Sequence, residues 1–193
     1  QKGIIKLDGT IGGITFYKTT EDGYLAREKG GVSADKIAND PAFQRTRENG
    51  EEFGRAGKAG KLLRNSIRAM LQNASDSRMV GRLTQKMVEV IQEDLTNPRG
   101  QRNVIDGEAE LLEGFEFNIS GKLGTTLYAP FTGTIDRVAG TLTANIPAFV
   151  PINMLAAPGG STHFKIVSAG AEVDFENETF VMDAQATAVL PWD

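Results

Sequence analysis

Two apolar stripes at helical spacing, divided by a short polar interval, constrain this chain more than any other feature. Asp40-Pro41 supplies an N-cap and then a proline at the first helical position, where its missing N–H leaves no bond unmade. Beyond it Phe53, Ala56, Gly60, Leu63, Ile67, Met70 and Leu71 recur at the spacing of one helix face. Gln72-Asn73-Ala74-Ser75 interrupts the pattern. A second stripe follows in Met79, Val80, Leu83, Met87, Val90 and Ile91, and it stops before Asn97-Pro98-Arg99-Gly100. A connection this short makes the two helices antiparallel neighbours. The pattern predicts a helical hairpin within residues 40–102.

The first helix is rich in glycine. Gly50, Gly54, Gly57 and Gly60 each cost about 1 kcal/mol of helix propensity relative to alanine. Close approach of another backbone is the expected compensation, and a helix break near Gly50 or Gly54 is the alternative. Arg55, Lys58, Lys61, Arg64 and Arg68 form a basic face beside the apolar stripe. On the second helix Arg78, Arg82 and Lys86 precede Glu89, Glu93 and Asp94, an order that opposes the helix dipole. Either a partner surface selects this order or a solvated face tolerates it.

The flanks carry β signals. Ile4-Ile5-Lys6-Leu7, Ile14-Thr15-Phe16-Tyr17 and Tyr24-Leu25-Ala26 are divided by Asp8-Gly9, Gly12-Gly13 and Asp22-Gly23, the pattern of a hairpin arm or short meander over 1–39. After residue 102, runs at Phe115–Ile119, Thr134-Ile135, Thr141–Ala144, His163–Val167, Ala171–Phe175, Thr179–Met182 and Ala186–Leu190 alternate with turns. They predict a small antiparallel β-sandwich or barrel over 103–193, the sandwich being the expected form. The fold class expected is therefore α+β, in three parts.

Charge is unevenly distributed. Residues 41–102 hold twelve basic and seven acidic side chains, a net of +5, whereas residues 103–193 hold three and twelve, a net of −9. Opposed charges of this kind favour head-to-tail contact between copies, or docking of the two parts within one copy. The chain begins at Gln1 without methionine, so residues are expected to precede it or to have been removed. The long uncharged stretch from Val138 to Phe164 is broken by Pro147, Pro151 and Pro158 and does not read as a membrane span. Its segment Phe149, Val150, Ile152, Met154 and Leu155 is unusually apolar for a loop. It either lines the β-core or forms a contact patch.

Motifs for catalysis are weak. There is no cysteine and His163 is the one histidine, which excludes thiol nucleophiles, zinc-thiolate sites and histidine cages. Gly54–Lys61 has the wrong spacing for a phosphate loop and is followed by Leu62 where Ser or Thr would hold magnesium. Asp174, Glu176, Glu178 and Asp183 lack the EF-hand spacing and read as a solvated edge that discourages strand aggregation. Gly159–His163 is not a nucleophile elbow. Asn73, Asn118 and Asn177 begin glycosylation acceptor patterns, which have meaning only in a secretory context.

Gly12–Lys18, Tyr24–Gly31, Asp40–Asn49 and Asn103–Leu112 together resemble a group of uncharacterised small proteins from Bacteroidetes. The resemblance runs along nearly the whole chain. It implies a bacterial origin and no residue role. The function expected is a non-enzymatic structural subunit, without cofactor or metal, that self-associates head to tail into a filament. An arm of Ile4, Ile5, Leu7, Ile14, Phe16 and Tyr17 would pair with the next copy, and the apolar loop would add a second contact. The alternative is a nucleic-acid-binding or adaptor module using the basic helix, although the acidic net charge and the lack of interleaved aromatics make nucleic acid the weaker partner. An extracellular or cell-surface location is expected, with the cytoplasm as the alternative.

Overall fold

The computed structural model describes residues 7–72 and 74–192. The chain forms two compact units, Gln1–Arg47 and Glu48–Asp193.

The first unit is built on a three-stranded antiparallel meander of β1 (Gly9–Ile11), β2 (Ile14–Thr19) and β3 (Gly23–Glu28). Gly12 takes φ 60° in the tight turn between β1 and β2, a left-handed value that favours glycine. Ile11 pairs with Ile14, Phe16 with Ala26 and Lys18 with Tyr24, so Ile11, Ile14, Phe16, Tyr24 and Ala26 share one face. Tyr17 and Arg27 lie on the other, with the guanidinium 5.4 Å from the ring centroid. A six-residue helix, α1 (Ala34–Asn39), follows; Ser33 caps it by accepting from Lys36 N at 3.3 Å. The sequence reading did not anticipate α1. Asp40 Oδ1 accepts from Ala42 N at 2.9 Å and so caps a 3-10 turn at Pro41–Phe43. Arg47 Nη1 donates to the carbonyls of Ile37 and Asp40 and holds that turn to α1. None of the described residues of this unit is buried.

The second unit is centred on the expected helical hairpin. Helix α2 (Gln44–Ser66) runs unbroken through its four glycines, and α3 (Arg68–Leu71) continues after a kink at Ile67. Helix α4 (Met79–Gln92) returns and buries Met79, Leu83, Met87, Val90 and Ile91 against Ala56, Ala59 and Leu71. Val104, from the chain beyond α4, completes the buried cluster.

Two features of the stripe need correction. Phe53 is 62% exposed, because Glu52, Ala56, Ala59 and Gly60 set the inward face and Phe53 lies about 100° round the helix from Glu52. Val80 is exposed for the same reason of phase. The glycines do not admit another backbone: the space beside Gly50, Gly54 and Gly57 is open to 4 Å. A Cβ at Gly60 would meet the Leu83 and Met87 side chains at 3.6 and 3.7 Å, ordinary van der Waals contact.

Phe115–Ile119 does not form a strand. Phe115 and Phe117 pack edge to face at 5.0 Å and lie against the helical core. Backbone groups here find partners in the helical connection and α4: Arg82 Nη1 donates to Glu116 O, Asp76 N to Phe117 O, and Ile119 N to Asp76 Oδ2. With these groups already bonded, no neighbouring strand is required.

The rest of the chain contains α5 (Leu123–Thr126), β4 (Thr132–Asp136), β5 (Thr141–Asn145), α6 (Pro151–Met154), β6 (His163–Phe164), β7 (Val167–Asp174), β8 (Thr179–Ala186) and β9 (Leu190–Pro191). Over 103–193, where a sandwich was expected, these strands pair two by two, as antiparallel β4–β5, β6–β9 and β7–β8. The strand expected at His163–Val167 is shortened to β6, that expected at Ala171–Phe175 begins earlier, at Val167, as β7, and Ala186–Leu190 belongs mostly to the connection between β8 and β9.

Candidate assembly surfaces

Most of the polar residues flagged in the helical hairpin have partners inside the unit. Glu52 is buried, and its two oxygens accept from Arg102 Nε and Nη2, both at 2.8 Å, while Oε1 also accepts from Gly100 N at 2.8 Å. Hydrogen bonding from Arg102 holds the Glu52 carboxyl below the usual carboxylate range against the opposing effect of burial. Asp94 sits at the end of α4 and accepts from Thr96 N, Asn97 N, Asn97 Nδ2 and Asn103 N. Burial pushes its pKa up, but these donors prevail and lower it to about 2. Together Glu52 and Asp94 clasp the loop after α4 onto the hairpin.

The charge order of α4 now has a local cause. Arg82 bonds Asp76 Oδ2 at 2.5 Å and lies 5.2 Å from the Phe115 ring centroid, and Lys86 bonds Glu89 at 2.7 Å. Asp94 is the loop clasp. Neither a partner surface nor mere tolerance is needed for these residues, because intramolecular partners outweigh a dipole effect of a few tenths of a kcal/mol or so.

The basic face is only partly available. Arg55 donates to the carbonyls of Gly100 and Arg102, and Arg64 Nε donates to Gly60 O at 3.1 Å. Lys61 and Arg68 are exposed. One acidic residue of the β-part, Glu178, also comes near this face within the same unit: Arg55, Lys58, Phe175 and Glu178 line one cavity of about 200 Å³. A larger open groove of about 840 Å³ has Arg64 and Arg68 beside Leu71, Met79, Phe180 and Met182.

Hairpin β7–β8 is strongly amphipathic. Its register pairs Val167 with Ala186, Ala169 with Ala184, Ala171 with Met182 and Val173 with Phe180, so one face is wholly apolar. Phe175, just beyond β7, anchors one end to the helical core. At the other end Val167, Ala169, Ala184 and Ala186 remain exposed. The opposite face carries Glu172, Asp174, Thr179, Asp183 and Gln185 around Val181, which is 72% exposed. Gly170 on that face lies under Leu142 of β5, and a Cβ there would overlap the leucine. Every residue of β4 and β5 is exposed, including Ile135 and Leu142, which pair across the hairpin.

The apolar loop divides. Phe149 packs on Phe164 with centroids 6.1 Å apart, and Leu155 bridges to buried Leu127, with Tyr128 N donating to Met154 O at 2.7 Å. Val150, Ile152 and Met154 project from the single turn of α6 and are exposed. In the N-terminal arm Ile14 is exposed, and Leu7, Phe16 and Tyr17 are half-buried; Ile4 and Ile5 lie outside the described residues. The basic face, the apolar loop and β7–β8 all belong to the second unit, and the arm to the first.

No family model, curated protein or solved structure matches this chain. Asp174 accepts from Glu176 N, Asn177 N and Asn177 Nδ2, so it closes the β7–β8 turn, and the Asn177 backbone N–H in particular lowers its pKa. Among the described residues no three His, Asp or Glu side chains gather as for a metal ion. His163 pairs with Pro191 in the register of β6–β9, and its Nδ1 lies 2.9 Å from Thr162 Oγ1. Among the described residues no helix is long and apolar enough to cross a membrane. Sequence reasoning missed the continuous apolar face of β7–β8, although alternation at Val167, Ala169, Ala171 and Val173 was available to find it.

Proposed function

We propose that this chain is a non-enzymatic structural subunit that self-associates head to tail into a filament or other extended assembly, outside the cell or on its surface. The observation that carries this reading is the set of two-stranded hairpins whose apolar side chains stay largely exposed, although Leu142 of β5 rests on Gly170 of β7. A lone hairpin is marginal in water, yet β4–β5 is exposed throughout and half of the apolar face of β7–β8 is uncovered. Fully burying a side chain such as Ile135 or Val181 is worth about 1.5–3 kcal/mol, so covering these faces with another copy is a substantial driving force. The layers of a β-sandwich would then be completed between copies rather than within one. Open strand edges on the same hairpins offer main-chain pairing to an edge strand of another copy, such as β1, whereas Ile14, Phe16 and Tyr17 lie in β2, the central strand of its meander. Against the alternative of a nucleic-acid adaptor, Arg55 has its hydrogen bonds inside the unit.

The test is electron microscopy of the untagged chain at low and moderate salt, with sedimentation velocity over a wide concentration range. Filaments or regular oligomers are expected, with loss of assembly as salt rises. Uniform monomers at high concentration would overturn the reading.

A further inference from the structure

We propose that the patch of Glu172, Val181 and Asp183 on the outer face of β7–β8 in one copy seats in the groove lined by Arg64 and Arg68 of the next copy. This deepens the self-association proposed above and rests on it. The groove has an apolar floor of Leu71, Met79, Phe180 and Met182 beside two cationic side chains. Arg68 is exposed, and Arg64 is held through Nε by the Gly60 carbonyl of its own helix.

Beside Gly170, where Leu142 of β5 rests on it, the outer face of the hairpin carries acidic charge complementary to the groove. Val181 protrudes opposite Glu172, and Asp183 follows two residues along on the same face. Glu172 and Asp183 are diagonal neighbours, about 7 Å apart. Arg64 lies near the end of α2 and Arg68 begins α3, on either side of the kink at Ile67. An acidic patch with a protruding valine thus meets a groove that offers two arginines beside apolar side chains. Opposed charges in such a contact fix register and steer encounter.

The occupant must be a second molecule. Phe180 and Met182 of the chain's own β8 form a wall of the groove, and Val181 lies on the reverse side of the same hairpin. A hairpin cannot present its reverse side to a groove that its front side already walls. The contact is therefore heterologous, and repeated without closure it propagates into a filament. Eight-residue strands give the hairpin a face of about 27 Å by 10 Å. That is below the ~800 Å² per partner of a standard interface, so each contact is individually weak and sensitive to salt.

The experiment compares four full-length chains by sedimentation velocity and light scattering at low salt and at roughly 0.5 M salt. They are the wild type, Arg64→Glu with Arg68→Glu, Glu172→Arg with Asp183→Arg, and all four changes together. Each reversed pair should raise the concentration of half-assembly about tenfold or more. The four-fold exchange should restore it. Mixing the two reversed variants should restore extended assembly as an alternating copolymer, since the groove of each then meets a face of opposite charge on the other. If the wild type assembles and the reversed variants assemble equally well, the groove contact is wrong and self-association stands. Loss in both variants without rescue by the four-fold exchange also overturns the contact. A wild type that stays monomeric defeats the underlying reading instead.

Discussion

Replacing Glu52 by alanine should unfold this protein far more readily than a surface substitution would. The carboxylate receives three bonds of 2.8 Å, two from Arg102 and one from Gly100 N. Its side chain is 4% exposed and that of Arg102 is 18% exposed. Removing one partner of a buried ion pair costs about 3–5 kcal/mol, because the other charge stays desolvated. Arg102 keeps its Nη1 bond to Gln92 O and some access to water, which places the expected loss near the lower end, about 3 kcal/mol. With a urea m-value of about 2 kcal/mol/M, the unfolding midpoint should fall by about 1.5 M. The assay is urea unfolding followed by far-ultraviolet ellipticity at neutral pH. Arg102→Met should show a similar loss. The double variant Glu52→Leu with Arg102→Met should lose at least about 1 kcal/mol less than the sum, since no charge is left stranded. A midpoint shift below about 0.3 M for Glu52→Ala, or strictly additive losses, would refute the clasp as a source of stability.

Gly57→Ala should raise stability by about 0.5–1 kcal/mol in the same assay, because a Cβ there meets open space and the helix gains propensity. Gly107→Ala should instead lower it by about 1–3 kcal/mol, since a Cβ would overlap the Val90 carbonyl of α4. Acid should destabilise the fold as pH drops from about 4 to about 2. Asp94 has a folded pKa near 2, below its ordinary 3.8, so the unfolded chain takes up the proton first and its contribution is lost as pH falls through the folded value. Asp94→Asn, measured by urea midpoint against pH, should start lower at neutral pH and show a shallower acid decline.

The helical hairpin was legible because its second stripe is nearly pure: Met79, Leu83, Met87, Val90 and Ile91 all point inward. The first stripe was legible only in part. A phenylalanine at position 53 outweighs a glutamate at 52 in any hydrophobic pattern, and the reversal depends on Arg102, fifty residues away. Phe115–Ile119 alternates like a strand, yet its alternation serves two aromatic rings packed on a helical core. Strand signals at β4–β5 and Thr179–Met182 were sound because turn residues bound them closely. How strands associate beyond their hairpins was not legible, since side-chain alternation specifies a face and says nothing of what covers it. The basic face was visible as charge. That Arg55 bonds two loop carbonyls was not, because those carbonyls belong to a segment without sequence periodicity.

The glycines of α2 also set the order in which this protein folds. Four glycines in 23 residues take about 4 kcal/mol from the helix, so α2 cannot persist as a local structure in the unfolded chain. Helix α4 carries only Gly81 and the larger share of buried apolar side chains. Early structure therefore belongs to α4, with α2 winding onto it from the turns that hold Ala56, Ala59 and Gly60. In kinetic terms, truncations in α4 slow folding, whereas alanines at Gly50 or Gly54 mainly slow unfolding. The exposed glycine edge makes α2 the part of the hairpin that opens first, and its amides the ones that exchange earliest with solvent.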